Sequence, residues 1–108
     1  MTPNTTTPSA DEQFASLPLH DATLSEVRLD WSQRVCLASV LAFVQTGQPA
    51  VARQIVWHGV SEALIPHRAP WGESAFINAV RAEPSGIFVV EMQSGDKIRI
   101  VAERFEFR

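Results

Sequence analysis

The chain has 108 residues, of which 45% are hydrophobic, 8% aromatic and 19% charged. That is the size of one domain, with no room for two enzyme lobes or a nucleotide-binding domain beside a substrate domain. With 9 Lys and Arg against 12 Asp and Glu, the formal net charge is -3. The single lysine, Lys97, and the scattered arginines build no basic face to replace phosphate counterions, so nucleic acid is not an expected partner.

Apart from Met1 and Ala10, residues 1–10 are Thr, Pro, Ser and Asn with little to bury, and they read as a disordered tail without the basic and apolar regions of a secretory signal. Asp11-Glu-Gln-Phe-Ala-Ser-Leu17 can form one helical turn that docks Phe14 and Leu17 before Pro18 ends it. The expected division is a disordered or loosely ordered tail over 1–16 and one β-rich domain over 17–108.

From Ala22 the pattern is that of strands. Val27, Leu29 and Trp31 alternate with Glu26, Arg28 and Asp30, the period of a half-buried strand. Trp31-Ser-Gln-Arg34 reads as a hairpin turn. Val35–Val44 is apolar on both faces, and its β-branched content and bounding turns favour a central strand over a helix. A membrane-crossing helix needs about 20 apolar residues, and no run here approaches that, so no membrane is expected. A further strand follows over Ala52–His58 and continues past Gly59, where a bulge is expected, towards Ile65.

Pro66-His-Arg-Ala-Pro-Trp-Gly72 is the one long loop. A strand over Ser74–Arg81 is closed by Glu83-Pro-Ser-Gly86. Ile87–Gln93 and Lys97–Val101, joined by Ser94-Gly-Asp96, read as a tight hairpin with Gly95 able to take positive φ. Phe105 and Phe107 alternate with charges in a last strand at a sheet edge. Turn signals every 8–12 residues give an all-β fold, mainly an antiparallel sandwich or open barrel, with or without one short helix. The alternative is α+β, if Val35–Val44 is helical.

No catalytic string for nucleotide, serine-hydrolase, zinc-protease or calcium chemistry is present. The only cysteine, Cys36, lies between Val35 and Leu37, which suits a buried and inert thiol and excludes an internal disulfide. Neutral imidazoles with a carboxylate can bind a metal or act as a base and its orienter, which draws attention to His20, Asp21, His58 and His67. The simpler readings are a hydrogen-bonded strand histidine at His58, a solvent-exposed His67, and an Asx-type turn made by Asp21 at the start of the first strand. No metal ligand set and no cofactor are assigned, and Asp96 reads as an ordinary turn residue.

Pro70-Trp-Gly-Glu73 is the most suggestive loop. The usual behaviour of large aromatics favours Trp71 folded down as a plug on the sheet. The functional alternative is an aromatic anchor at a binding surface.

Leu19-His-Asp-Ala22, Leu29-Asp-Trp31, Pro70-Trp-Gly-Glu-Ser74 and Glu91-Met-Gln-Ser-Gly-Asp96 occur in an order that resembles a family of small bacterial proteins with no activity attached to it. The resemblance spans about residues 17–107. Glu73 stands where Pro is expected in many relatives, which removes a rigid turn. More remotely, in size and β-rich build, the chain is similar to immunity-type proteins of bacterial toxin systems, which act by binding.

The leading expectation is a cytoplasmic bacterial, non-enzymatic protein-binding module, immunity-like in character, with Trp71 as apolar anchor and Glu73 as a charged rim contact. His20 and Asp21 join that face if the fold brings them there. The alternative is a small-ligand or metal-binding enzyme that uses His20 and Asp21 beside Trp71. A third expectation is a homo-oligomer formed through the Glu103–Arg108 edge.

Overall fold

The computed structural model describes residues 9–108, so the first half of the tail expected over 1–16 lies outside the described residues. Helix α1 (Ala10–Ala15) is followed by eight strands: β1 (Thr23–Asp30), β2 (Val35–Ala42), β3 (Val51–His58), β4 (Glu62–Leu64), β5 (Ile77–Glu83), β6 (Ile87–Met92), β7 (Lys97–Val101) and β8 (Arg104–Phe107). All pairings are antiparallel, in two four-stranded sheets ordered β1-β2-β3-β8 and β4-β7-β6-β5. The chain is all-β with one short helix. Val35–Ala42 is a strand, so the α+β alternative does not hold.

The helix starts because Ser9 caps it: its Oγ accepts the Glu12 backbone N–H at 3.1 Å, and Asp11 and Glu12 lie in the positive first turn. Its purpose is Phe14. That ring is fully buried, edge-on to Phe88 at 4.9 Å and to Phe105 at 5.1 Å, and tilted 6.1 Å from Trp57. Leu17 packs beside it, as expected of a docked turn. The packed chain therefore begins at α1, ahead of the boundary expected at residue 17, because one buried aromatic is enough to hold a short capped helix.

The central strand β2 turns small side chains inward at Cys36, Ala38, Val40 and Ala42, which leaves room for Ile55 and Trp57 of β3 and Phe88 of β6. The two sheets are joined at two places. Along one side, β3 runs into β4 and β7 into β8, so one bent ribbon belongs to both sheets. Gly59 is the corner of that ribbon rather than a bulge within a strand. It takes φ +66, and a Cβ there would meet the Glu103 side chain. Along the other side, Thr23 bridges Phe76, and Leu24 donates its N–H to Ala75 O at 2.9 Å.

Beyond Leu24 that seam opens. The free flank of β1 faces β4 across a hollow of about 580 Å3 lined by Leu29, Trp31, Arg34, Val60 and Ala63. The alternation in β1 that reads as half-buried is covered only in part. Val27 packs against the core, while Leu29 and Trp31 stand out in solvent.

Candidate binding surface

The β6–β7 hairpin turns over Gln93–Asp96, where Gly95 takes φ +94 and donates its N–H to Met92 O at 3.0 Å. Asp96 does more than make that turn. Its carboxylate is buried, and it accepts the backbone N–H groups of Arg68 and Ala69, both at 2.9 Å, together with the Ser94 hydroxyl at 2.9 Å. Ser94 Oγ in turn lies 3.0 Å from Ser74 Oγ. Burial opposes the Asp96 charge, but these donors from the backbone, Ser94 and Ser74 outweigh it and hold the carboxyl below its ordinary value of 3.8. The chain from Arg68 to Ser74 is thus tied at both ends to one hairpin.

The tie fixes the loop without the proline expected at residue 73. Ala69 is held at φ +48, Trp71 donates its N–H to Ser94 O at 2.9 Å, and Gly72 donates to Ala69 O at 3.4 Å. Trp71 is not a plug. One part of its ring lies on Gly95, where an added Cβ would come within 2.8 Å of it, and the side chain remains 79% exposed. Glu73 beside it is exposed and makes no hydrogen bond or ion pair among the described residues.

His20 and Asp21 lie in the turn that leads into β1, at the same hairpin. His20 Nδ1 donates to Asn78 O at 2.7 Å, and its Nε2 is 3.5 Å from Asp21 Oδ2. Asp21 sits at φ +64, and its carboxylate accepts Gln93 Nε2 at 2.6 Å in place of the expected Asx-type bonds to the residues that follow it. Gln93 is one residue from Ser94, which holds the Trp71 backbone, so the turn carrying His20 and Asp21 and the Trp71 loop are tied to neighbouring residues. No hydrogen bond joins His20 or Asp21 to Trp71 or Glu73 among the described residues.

The remaining candidates are spread out. His58 Nε2 donates to Glu106 at 2.5 Å across the β3–β8 pair, as expected of a strand histidine. That bond, with Arg104, keeps the Glu106 carboxyl below its usual range. Phe105 and Phe107 of β8 pack on the core, so this edge already has its side chains committed. His67 is exposed, above a shallow hollow lined by Leu24, Val27, Ile65 and Ser74. Among the described residues no three His, Cys, Asp or Glu side chains are grouped to hold a metal ion, and no helix is long and apolar enough to cross a membrane. Burial raises the Cys36 thiol to about 11, which leaves it protonated and unreactive in the fold.

Sequence reasoning missed Asp96 and Ser94 as loop anchors. Their partners, Arg68, Ala69 and Ser74, are 20–28 residues away in the chain, and only the clustering of Ser and Asp around Gly95 hinted at a polar centre. Compared with protein-family profiles, with curated proteins and with solved structures, the chain matches none.

Proposed function

We propose that this domain is a non-enzymatic binding module that takes hold of another protein through Trp71, with Glu73 orienting the approach. One observation carries the reading: an indole that is 79% exposed sits on a loop whose backbone is fastened by a buried carboxylate. An exposed tryptophan gains nothing for folding, whereas one held in advance in its bound position loses little entropy on association. Asp21, His20 and Gln93 supply a polar margin at the same hairpin, the arrangement of an apolar centre with a hydrated rim.

The resemblance to immunity-type proteins suggests the class of partner, a toxin-like bacterial protein silenced by occupancy in the cytoplasm. The test uses the wild-type chain, Trp71→Ala and Glu73→Lys as baits in bacterial extract. The expected result is a protein retained in a one-to-one complex by the wild type and bound about 30-fold more weakly by Trp71→Ala, the loss of one hot-spot side chain. Glu73→Lys should change the association rate and its salt dependence by a few-fold. Equal retention by wild type and Trp71→Ala would remove the proposal.

A further inference from the structure

The free edge of β1 has a sequence that is complementary to itself, and we infer that it pairs antiparallel with β1 of a second copy of this chain, in the register that places Leu29 opposite Leu29. The edge is open from Ser25 to Asp30, since β1 pairs only with β2 and the bridge to β5 is confined to Thr23 and Leu24. Along it, Glu26, Arg28 and Asp30 alternate with Val27, which packs against the core, and with Leu29 and Trp31, which line the hollow beside β4.

A two-fold axis through the pair requires the same faces to meet, so only registers centred on a residue are allowed, and a slip by one position changes every neighbour. Centring on Arg28 sets Arg28 against Arg28 and Glu26 against Asp30, all like charges and all destabilising. Centring on Val27 also makes two opposite-charge pairs, Glu26 against Arg28, but it sets Leu29 against Ser25 and Asp30 against Leu24, whose N–H is already given to Ala75. Centring on Leu29 sets Arg28, whose guanidinium lies 3.2 Å from Glu26 of its own strand, against Asp30 twice on the outer face. On the inner face Leu29 meets Leu29, and Trp31 covers Val27 of the other copy.

The register accounts for two apolar side chains the fold leaves uncovered, Leu29 at the end of this strand at 44% and Trp31 at the start of the turn after it at 87% exposed. It also suits Asp30, whose Oδ1 is taken by the Gln33 N–H and the Ser32 hydroxyl while Oδ2 has no partner among the described residues. The β1-β2-β3-β8 sheet of one copy would continue into the same sheet of the other across the axis.

The experiment is sedimentation equilibrium over a concentration series, on the wild type, Arg28→Asp, Asp30→Arg, and the last two mixed. Wild type should move from the chain mass of 11.9 kDa towards twice that value. Each single variant places like charges opposite each other and should stay monomeric. The equimolar mixture should dimerise again, because every acidic position of one chain then faces an arginine of the other. Circular dichroism checks that each variant is folded. Should Asp30→Arg disturb the turn it caps, Leu29→Lys, which sets two ammonium groups on the axis, takes its place and should also be monomeric. A wild type that remains monomeric up to its solubility limit leaves this edge to a different protein and overturns the inference. A dimer that survives Arg28→Asp or Leu29→Lys lies on another face and overturns it equally.

Discussion

Phe14 and Leu29 are both large apolar side chains at the margin of the same core, and the chain treats them differently. On the α1 side a capped turn of helix lays Phe14 among Trp57, Phe88 and Phe105, and the aromatic cluster is closed. On the β1 side the seam to β5 ends at Leu24, no element follows, and Leu29 and Trp31 face solvent beside an open hollow. Amphipathic alternation alone does not decide burial; a covering element does. Where the fold supplies one, the side chain stabilises the domain. Where it supplies none, the side chain is available for association.

Substitutions on the two sides should therefore behave in opposite ways. The largest effect is expected for Phe14→Ala, which empties an enclosed site and should lower unfolding free energy by about 3–5 kcal/mol in urea titration. A loss near zero would mean that α1 is not part of the core, and the contrast would collapse.

Asp96→Asn comes next. Its carboxyl titrates below the ordinary value when folded, so its contribution is fully present above the unfolded value and is lost as pH falls through the folded one. The stability gap between wild type and Asp96→Asn should hold steady from pH 7 to pH 5, shrink below 3.8, and vanish at lower pH. Amide exchange should accelerate at one of Arg68 and Ala69 in the variant, since the asparagine amide keeps one acceptor oxygen and replaces the other with an NH2 donor. A gap independent of pH would show that Asp96 is not the charged anchor of the Trp71 loop.

Gly59→Ala should cost about 1–2 kcal/mol, the usual penalty of a side chain in the left-handed region, read in the same titration. The smallest effect on stability belongs to the open side: Trp31→Ala should fall within about 0.5 kcal/mol of wild type, as for a surface residue. A loss like that of Phe14→Ala would place Trp31 in the core and erase the distinction.

Much of this fold was legible in the sequence because strands announce themselves by alternation and turns by their residues. Trp31–Arg34, Glu83–Gly86 and Ser94–Asp96 are turns, and Val35–Ala42 is the central strand. Other features depend on the third dimension. Gly59 reads as a bulge because nothing in Trp57-His-Gly-Val60 tells a kink in one sheet from a passage between two. Asp96 reads as a turn residue because its donors come from Arg68 and Ala69, a strand and a hairpin away. Trp71 reads as a plug because residue type alone predicts burial, whereas the backbone bond to Ser94 and the seat on Gly95 come from a hairpin distant in the chain and leave the indole exposed. The tie between Asp21 and the β6–β7 hairpin runs through Gln93, whose part no local pattern reveals.

The measurement that bears most directly on this account is the unfolding free energy of Trp71→Ala. A presented side chain resting on Gly95 predicts a loss of under about 1 kcal/mol, with the fold and the exchange protection of Arg68 and Ala69 intact. A loss of about 3–5 kcal/mol, the cost of emptying a core site, would contradict it and make Trp71 the plug of a domain whose binding surface lies elsewhere.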